Sequence, residues 1–190
     1  AVKDRLLTQM ADRLEREEVE IQKANAQDVE AAKKNGLTDA MVDRLILNKK
    51  RIHEMAEGLR DVVTLSDPVG QVVKEWERPN GLHIKKVHIP LGVIGMVYES
   101  RPNVTVDAAG LCLKAGNAIV LRGGSEAIHS NRFLGDLLRA VLSEQDINPD
   151  IIQVIPVTDR QAMEILVRQT KFIDMMIPRG GEGLMKWMEE

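Results

Sequence analysis

Three loops and one thiol hold the residue types from which chemistry could be built. Cys112 is the single cysteine of the chain and stands in "GLCLKAGN", residues 110–117. A thiolate there would be a nucleophile, provided its surroundings lowered the thiol pKa. They do the opposite: the residue falls near the C-terminal end of a helical stretch, where the backbone dipole disfavours negative charge, and Ala108, Ala109, Leu111 and Leu113 desolvate it without supplying a base. Cys112 therefore reads as a small core residue. The loops are "ESRPN" (99–103), "LRGGSEA" (121–127) and "IPRGGEGL" (177–184). In the last two, glycines let backbone N–H groups approach an anion, a helix N-terminus follows, and Arg122 or Arg179 adds a charged donor. Phosphate contact is the chemistry this composition suits, and two such loops on adjacent strand ends suit a dinucleotide. Neither matches G-x-G-x-x-G or a Walker motif, and tight corners alone would also explain the glycines.

The elements that must position these loops form an α/β pattern. Residues 2–34 read as one helix, with Leu7, Met10, Leu14 and Ile21 on a single stripe and Asp12–Arg16 and Glu30–Lys34 as spaced ion pairs; Gly36 in "NGL" caps it. Helical stretches follow at 39–47 and 49–65, the second entered through Asn48 as N-cap. These helices are packing elements without chemistry. Two β-rich runs flanking "RPNG" predict a protruding hairpin over 71–89, whose open edges a second subunit could cover. After Pro90, "GVIGMVY" (92–98) and "AIVLR" (118–122) are short apolar runs without alternation, as in strands buried on both faces, and "NVTVDAAGLCLKAG" (103–116) is a helix between them. The unit repeats: a helix from 125 to 143, strand "IIQVI" (151–155), a helix from 159 to 169 and strand "FIDMMI" (172–177). The expected architecture is a Rossmann-like, doubly wound parallel sheet with right-handed crossovers, preceded by N-terminal helices (1–66) and the hairpin (67–90), with the nucleotide-binding core over 91–190. Ligands bind such sheets at the carboxyl ends of the strands, where the three loops and "PVTD" (156–159) fall.

Composition narrows the partners. A net charge of −3 with dispersed basic residues, and only 3% aromatic residues, fit neither a polyanion-binding face nor a base-stacking platform, so no nucleic acid is expected. One cysteine leaves no internal disulfide, and no apolar run is long enough for a bilayer span, so a cytoplasmic protein without membrane contact is expected. His83 and His88 lie in the hairpin five residues apart, on opposite faces and without a neighbouring ligand cluster, so no metal site is assigned. His129 reads as an ordinary helix residue. "NVT" at 103–105 has the glycosylation pattern but falls in a turn expected to be buried. Met175, Met176 and Met185 are expected to fill the core beside the last strand.

The string "IPLGVIGMVYESRPNVTVDAAGLCLKAGNAIVLRGGSEAIHSN", with "IDMMIPRGGEGL" later, resembles the gamma-glutamyl phosphate reductase (glutamate-5-semialdehyde dehydrogenase) family of the aldehyde dehydrogenase superfamily, and the likeness runs along essentially the whole chain. The resemblance implies an oxidoreductase of proline biosynthesis that uses NADPH to reduce L-glutamyl 5-phosphate to L-glutamate 5-semialdehyde with release of phosphate. It also implies a homo-oligomer in which the 71–89 hairpin is the assembly arm. Superfamily positions place Arg122 near the adenosine ribose, with Gly123 and Gly124 in the same corner. Ser125 stands where a ribose-binding carboxylate often stands, an exchange that favours NADP, although Glu126 adjoins it. Arg179, Gly180 and Gly181 fall near the pyrophosphate or nicotinamide, and Asn103 is a candidate for the amide that holds a developing oxyanion. Ser100 and Arg101 share that strand end and are candidates to meet the substrate carboxylate or phosphate; hydrogen bonds that merely fix the loop are the alternative.

The family's nucleophilic cysteine lies in a catalytic domain well beyond "PRGGEGL", and no such residue stands in this chain. The expectation is a cofactor-binding portion, inactive alone. Two alternatives stay open at the level of sequence: a non-catalytic nucleotide-binding module, and another aldehyde or acyl dehydrogenase of the same superfamily.

Overall fold

Apolar residues recur three and four apart through the first sixty positions, and the computed structural model, which describes residues 2–189, folds them into four helices: α1 (Val2–Arg16), α2 (Glu18–Lys34), α3 (Asp39–Leu45) and α4 (Lys49–Thr64). Leu7, Met10, Leu14 and Ile21 are fully buried, as their spacing requires. The single helix expected over 2–34 divides at Glu17, whose φ of −99° and ψ of 21° leave the helical region. The hydrogen-bond ladder continues across the break, from Glu17 N–H to Arg13 O and from Ile21 N–H to Glu17 O, both 3.0 Å. The division follows the packing: α1 lies mainly against α4, and α2 against the later helix α6 (Ile128–Glu144). Glu30 and Lys34 pair at 2.7 Å, but Asp12 reaches Arg60 on α4 at 2.8 Å in place of Arg16. Gly36 closes α2 at φ +72°, with Leu37 N–H returning to Ala32 O and Gly36 N–H to Lys33 O. Asn48 caps α4 by accepting from Arg51 N–H at 2.9 Å.

The hairpin forms as the turn chemistry demands. Strands β1 (Val72–Glu77) and β2 (His83–Val87) pair antiparallel around Gly81 at φ +79°, and nearly every residue of the ribbon is exposed. Trp76 and Val87 stand in solvent on it, with the Lys74 ammonium 5.5 Å from the Trp76 ring centre.

The remaining chain builds one parallel sheet, ordered β5-β4-β3-β6, from β3 (Val93–Tyr98), β4 (Ala118–Gly123), β5 (Ile152–Val154) and β6 (Met175–Arg179). Helices α5 (Asn103–Lys114), α6, α7 (Arg160–Val167) and α8 (Glu182–Glu189) alternate with these strands. β3 enters the sheet first, β4 and β5 add on one side of it, and β6 adds on the other. The order therefore reverses beside β3, and the crevice at its carboxyl end is where such sheets hold ligands.

Several boundaries differ from the sequence reading: the helices expected at 39–47, 103–116 and 159–169 are Asp39–Leu45, Asn103–Lys114 and Arg160–Val167, and three further differences bear on the sheet. α6 begins at Ile128 after a turn of 3-10 helix, Ser125–Ala127. β5 is only Ile152–Val154. β6 starts three residues later than "FIDMMI" suggests, because Asp174 is spent aligning the strand: its N–H donates to Val93 O at 2.9 Å and its carboxylate accepts from Val93 N–H at 2.8 Å. Met175 and Met185 are exposed beside β6, contrary to their expected place in the core, and Met176 is half-buried.

The core runs from α1 and α4 through α5 to the sheet and α6. Lys114, 5% exposed, closes one end of it by donating to Asp4 at 2.5 Å and to Val63 O at 3.1 Å. Under β3 a polar chain crosses the core: Tyr98 OH lies 2.6 Å from Thr105 Oγ1, which meets Asn131 Oδ1 at 3.1 Å. Burial drives the Tyr98 phenol far above its ordinary pKa, so it stays a neutral hydrogen-bonding group. Among the described residues, no helix is long and apolar enough to cross a membrane.

Candidate functional site

The strand order places an open cleft of about 920 Å³ at the carboxyl ends of β3 and β4, bordered by residues of α2, α7 and α8. Arg122, Gly124, Ser125, Glu126 and Ser100 line it, as do Thr158, Arg160 and Trp187, which the sequence reading did not single out. Ligand pockets run to roughly 1,000 Å³, so this one lies at the size of an extended ligand. Arg122 ends β4 and is 9% exposed. Its Nη1 donates to Gly123 O at 2.8 Å and its Nη2 to Thr158 O at 3.1 Å, while its Nε is buried without a partner. A buried donor left unpaired is costly, and it marks where an acceptor would be welcome.

The corner that follows requires glycine for want of space. A Cβ on Gly123 would stand 2.1 Å from Asn131 Nδ2 and 3.0 Å from Tyr98 Cζ; one on Gly124 would stand 2.2 Å from the Glu126 carboxylate. A nicotinamide dinucleotide fits this set of residues: an extended cleft, a bare backbone corner that side chains would fill, and a guanidinium with an orphaned donor.

The helix N-terminus behind the corner is not free for an anion. Asp28, 2% exposed on α2, accepts from His129 N–H at 3.1 Å, Ser130 N–H at 2.7 Å and Ser130 Oγ at 2.6 Å. Asn25, one turn earlier, donates to Leu45 O and Ser130 Oγ and accepts from Leu47 N–H. α2 thus satisfies the first amides of α6 with a carboxylate and fixes the α3–α4 connection at the same time. The donors open to a phosphate are therefore those of the loop itself and the two arginines, Arg122 and Arg160.

The "ESRPN" loop is held by carboxylates. Ser100 adopts φ +54°, a left-handed conformation uncommon outside glycine, while its N–H and Oγ donate to Glu126 Oε1 at 2.7 and 3.0 Å. Glu126 therefore ties the corner after β4 to the loop after β3 and turns its charge away from a free position. Glu99 makes the matching link on the other side, accepting from Gly181 N–H at 2.9 Å. Arg179 ends β6 and is exposed, and Arg179, Gly180 and Gly181 are not part of the cleft lining, which includes Gly183 and Leu184 from the start of α8.

Arg101 and Asn103 face away from that cleft. They line a second cavity of about 300 Å³ between the α3–α4 connection and the start of α5. Asn103 Nδ2 donates to Asp107 Oδ2 at 2.8 Å. Burial pushes the Asp107 carboxyl up from its ordinary value, opposed by that hydrogen bond and by the Arg179 charge. The three residues expected to meet the substrate are thus divided, Ser100 in the large cleft and Arg101 with Asn103 in the small cavity. Cys112 is half-buried against the core, and burial pushes its thiol up to about 11, which agrees with a structural role. Glu15, His53 and Glu57 also bring ligand atoms within 4.8 Å of one another, but the Arg60 guanidinium already sits among them, 2.7 Å from Glu15 and 2.6 Å from Glu57.

Thr158, Arg160 and Trp187 left little trace in the sequence. Thr158 belongs to the flagged "PVTD" loop, but Trp187 joins the cleft only because α8 folds back across β6 and packs near Val97 and Met163.

No protein-family model matches the chain. A curated gamma-glutamyl phosphate reductase from Desulfatibacillum aliphaticivorans is 54% identical over 187 residues, which is 98% of this chain and 45% of that protein. The crystal structure of gamma-glutamyl phosphate reductase from Thermotoga maritima superposes with a TM-score of 0.96 at 42% identity, covering 98% of this chain and 45% of that one. The fold extends to a probable aldehyde dehydrogenase from Listeria monocytogenes EGD-e (TM-score 0.72, 15% identity, 98% of this chain and 38% of that one). It also extends to an engineered glycolyl-CoA reductase solved with bound NADP+ (TM-score 0.67, 16% identity, 99% and 39%). The chain spans about 45% of the length of the curated relatives it matches.

Proposed function

From a chain that is homologous along its whole length to the gamma-glutamyl phosphate reductases, we infer the cofactor-binding portion of an oxidoreductase that converts L-glutamyl 5-phosphate to L-glutamate 5-semialdehyde with release of phosphate, using NADPH. The observation that carries this reading is the Arg122 corner: a bare glycine backbone and an arginine with one unpaired buried nitrogen, at the carboxyl end of β4, one strand from the β3–β6 crevice where the order reverses.

The bound cofactor would supply the hydride. This chain's residues bind and orient. Arg122 is held by Gly123 O and Thr158 O, so its planar fork is fixed before a ligand arrives. Ser125 is exposed at the cleft and carries no charge, while the neighbouring Glu126 is occupied by Ser100, so the wall opposes a ribose 2′-phosphate less than a free carboxylate would. Trp187 and Met163 give the cleft an apolar side. Burial raises the Cys112 thiol, and no base adjoins it, which supports the reading that it is not the nucleophile of this reaction. The lone thiol supports a reducing, cytoplasmic setting. The exposed ribbon of Val72, Val73, Trp76 and Val87 supports self-association through the hairpin.

Isothermal calorimetry on the chain tests the assignment. NADPH is expected to bind at least about tenfold more tightly than NADH, the gain of a charge-assisted contact, and Arg122→Ala is expected to narrow that gap. Equal affinities for the two cofactors in the unsubstituted chain would contradict it.

A further inference from the structure

The small cavity has a charge pattern of its own. Among its lining residues are three arginines, Arg44, Arg51 and Arg101, and the acids Asp43, Glu54 and Asp107. Arg51 is committed to the fold, donating to Ile46 O at 2.9 Å, to Asp43 Oδ2 at 2.9 Å and, closely, to Asp43 O. Arg44 and Arg101 are different: among the described residues neither side chain has a hydrogen bond or an ion pair, although both border the same cavity. Two exposed guanidiniums without a protein partner, bordering one cavity, are available to an anion. Among the acids of the same lining, Asp107 accepts only from Asn103, through one of its two oxygens, and the exposed Glu54 meets only Lys50, at 3.7 Å. Those carboxylates are available to a cation.

A ligand that satisfies both signs of charge must carry an anion and a cation within a few ångströms, and it must be small. At about 300 Å³ the cavity lies at the lower bound of ligand sites, less than a third of the cleft beside it, so it cannot take a dinucleotide. We propose that this cavity binds the α-ammonium and α-carboxylate end of an amino acid, Arg44 and Arg101 holding the carboxylate and Asp107 the ammonium. Asn103 would then orient Asp107 through its amide, a positioning role beside the binding one. The inference rests on the proposed reaction for its substrate class, a γ-substituted glutamate, but its geometry is independent of the cofactor cleft: the two cavities share no lining residue.

The test is calorimetry or NMR titration of the chain with L-glutamate, set against glutarate, which lacks the ammonium, 4-aminobutyrate, which lacks the α-carboxylate, and inorganic phosphate. L-Glutamate is expected to bind with at least tenfold preference over each of the other three. Arg44→Ala, an exposed substitution that leaves the core untouched, is expected to weaken L-glutamate binding at least tenfold while leaving NADPH binding unchanged. Asp107→Asn is expected to erase the preference for L-glutamate over glutarate. Absence of L-glutamate binding, equal binding of glutarate in the unsubstituted chain, or equal binding of phosphate would overturn the proposal. The NADPH titration separates the two readings: if NADPH binds and L-glutamate does not, this inference fails alone, and if L-glutamate binds and NADPH does not, the cofactor assignment fails alone.

Discussion

Two corners of the sheet carry nearly the same five residues, "RGGSE" at 122–126 and "RGGEG" at 179–183, and the fold treats them differently. The first ends β4 in the middle of the sheet, with Arg122, Gly123 and Gly124 all buried. The second ends β6 at the sheet edge, with Arg179, Gly180 and Gly181 all exposed. At Gly123 a methyl group would collide with the buried Asn131 and Tyr98; at its counterpart Gly180 it would meet the ends of the Glu99 and Leu184 side chains, at 2.6 and 2.8 Å, and at Gly181 only Glu99 Oε2, at 3.8 Å. A glycine pair grants the backbone freedom, but neighbouring strands and helices decide whether that freedom is spent on packing or left to solvent. Only the first corner has a fixed arginine, an unpaired buried donor and a capped helix behind it.

The sharpest way to break this contrast is to add a methyl group at each corner. Gly123→Ala is expected to cost about 1–3 kcal/mol by overpacking. Gly181→Ala is expected to stay within about 0.5 kcal/mol. Urea denaturation of both variants checks the pair, and equal costs would show that the corners are alike. Next in size is Asp28→Ala, which strips the α6 amides and Ser130 of their buried acceptor and is expected to cost about 2 kcal/mol, the upper range for a helix cap. A thermal midpoint unchanged from the parent would mean that α6 does not depend on α2.

Cys112 lies on the helix that leads into β4 and sharpens the contrast chemically. With its thiol pushed up to about 11, the thiolate fraction at pH 8 is on the order of a hundredfold below that of an ordinary cysteine. Alkylation by iodoacetamide should be correspondingly slow in the folded chain and accelerate in urea. Fast labelling at pH 8 without unfolding would contradict the core assignment.

The smallest expected effect lies far from both corners. Hydrogen bonds from Arg60 and then His53 lower the Glu15 carboxyl from its ordinary value to about 2. A depressed carboxyl stabilises the fold above its unfolded pKa and loses that contribution as pH falls through the folded value, so the window is roughly pH 4.5 down to 2. Because the network is partly solvated, Arg60→Ala should remove no more than about 1 kcal/mol at pH 7 and flatten the loss across that window. Parallel acid-unfolding curves for parent and variant would show the network to be inert.

Most of the architecture was legible because hydrophobic period distinguishes its elements: a 3.6-residue stripe for α1, continuous apolar runs for β3 and β4, turn residues at 79–81 for the hairpin. The misread points share one cause, which is that a tertiary partner decided them. Nothing in "EREEVE" marks a break, yet α1 and α2 part at Glu17 because they pack on different helices. "FIDMMI" looks like a buried strand, but β6 is an edge strand whose pairing starts after Asp174. The Arg122 corner was readable from glycines and charge, while Asp28 looked like one more acid on a solvated helix face. Only its burial against α6 shows that it occupies the amides an anion would otherwise use. Arg44 gave no signal at all, since its place beside Arg101 is made by folding.

Hydrogen–deuterium exchange of the chain with and without NADPH tests most directly the proposal that the β4 corner, and not its exposed counterpart on β6, holds the cofactor. Slowed amide exchange is expected at residues 122–127 and 158–160, with little change at 180–183. Slowing confined to 180–183, or no change at either corner under saturating NADPH, would contradict it.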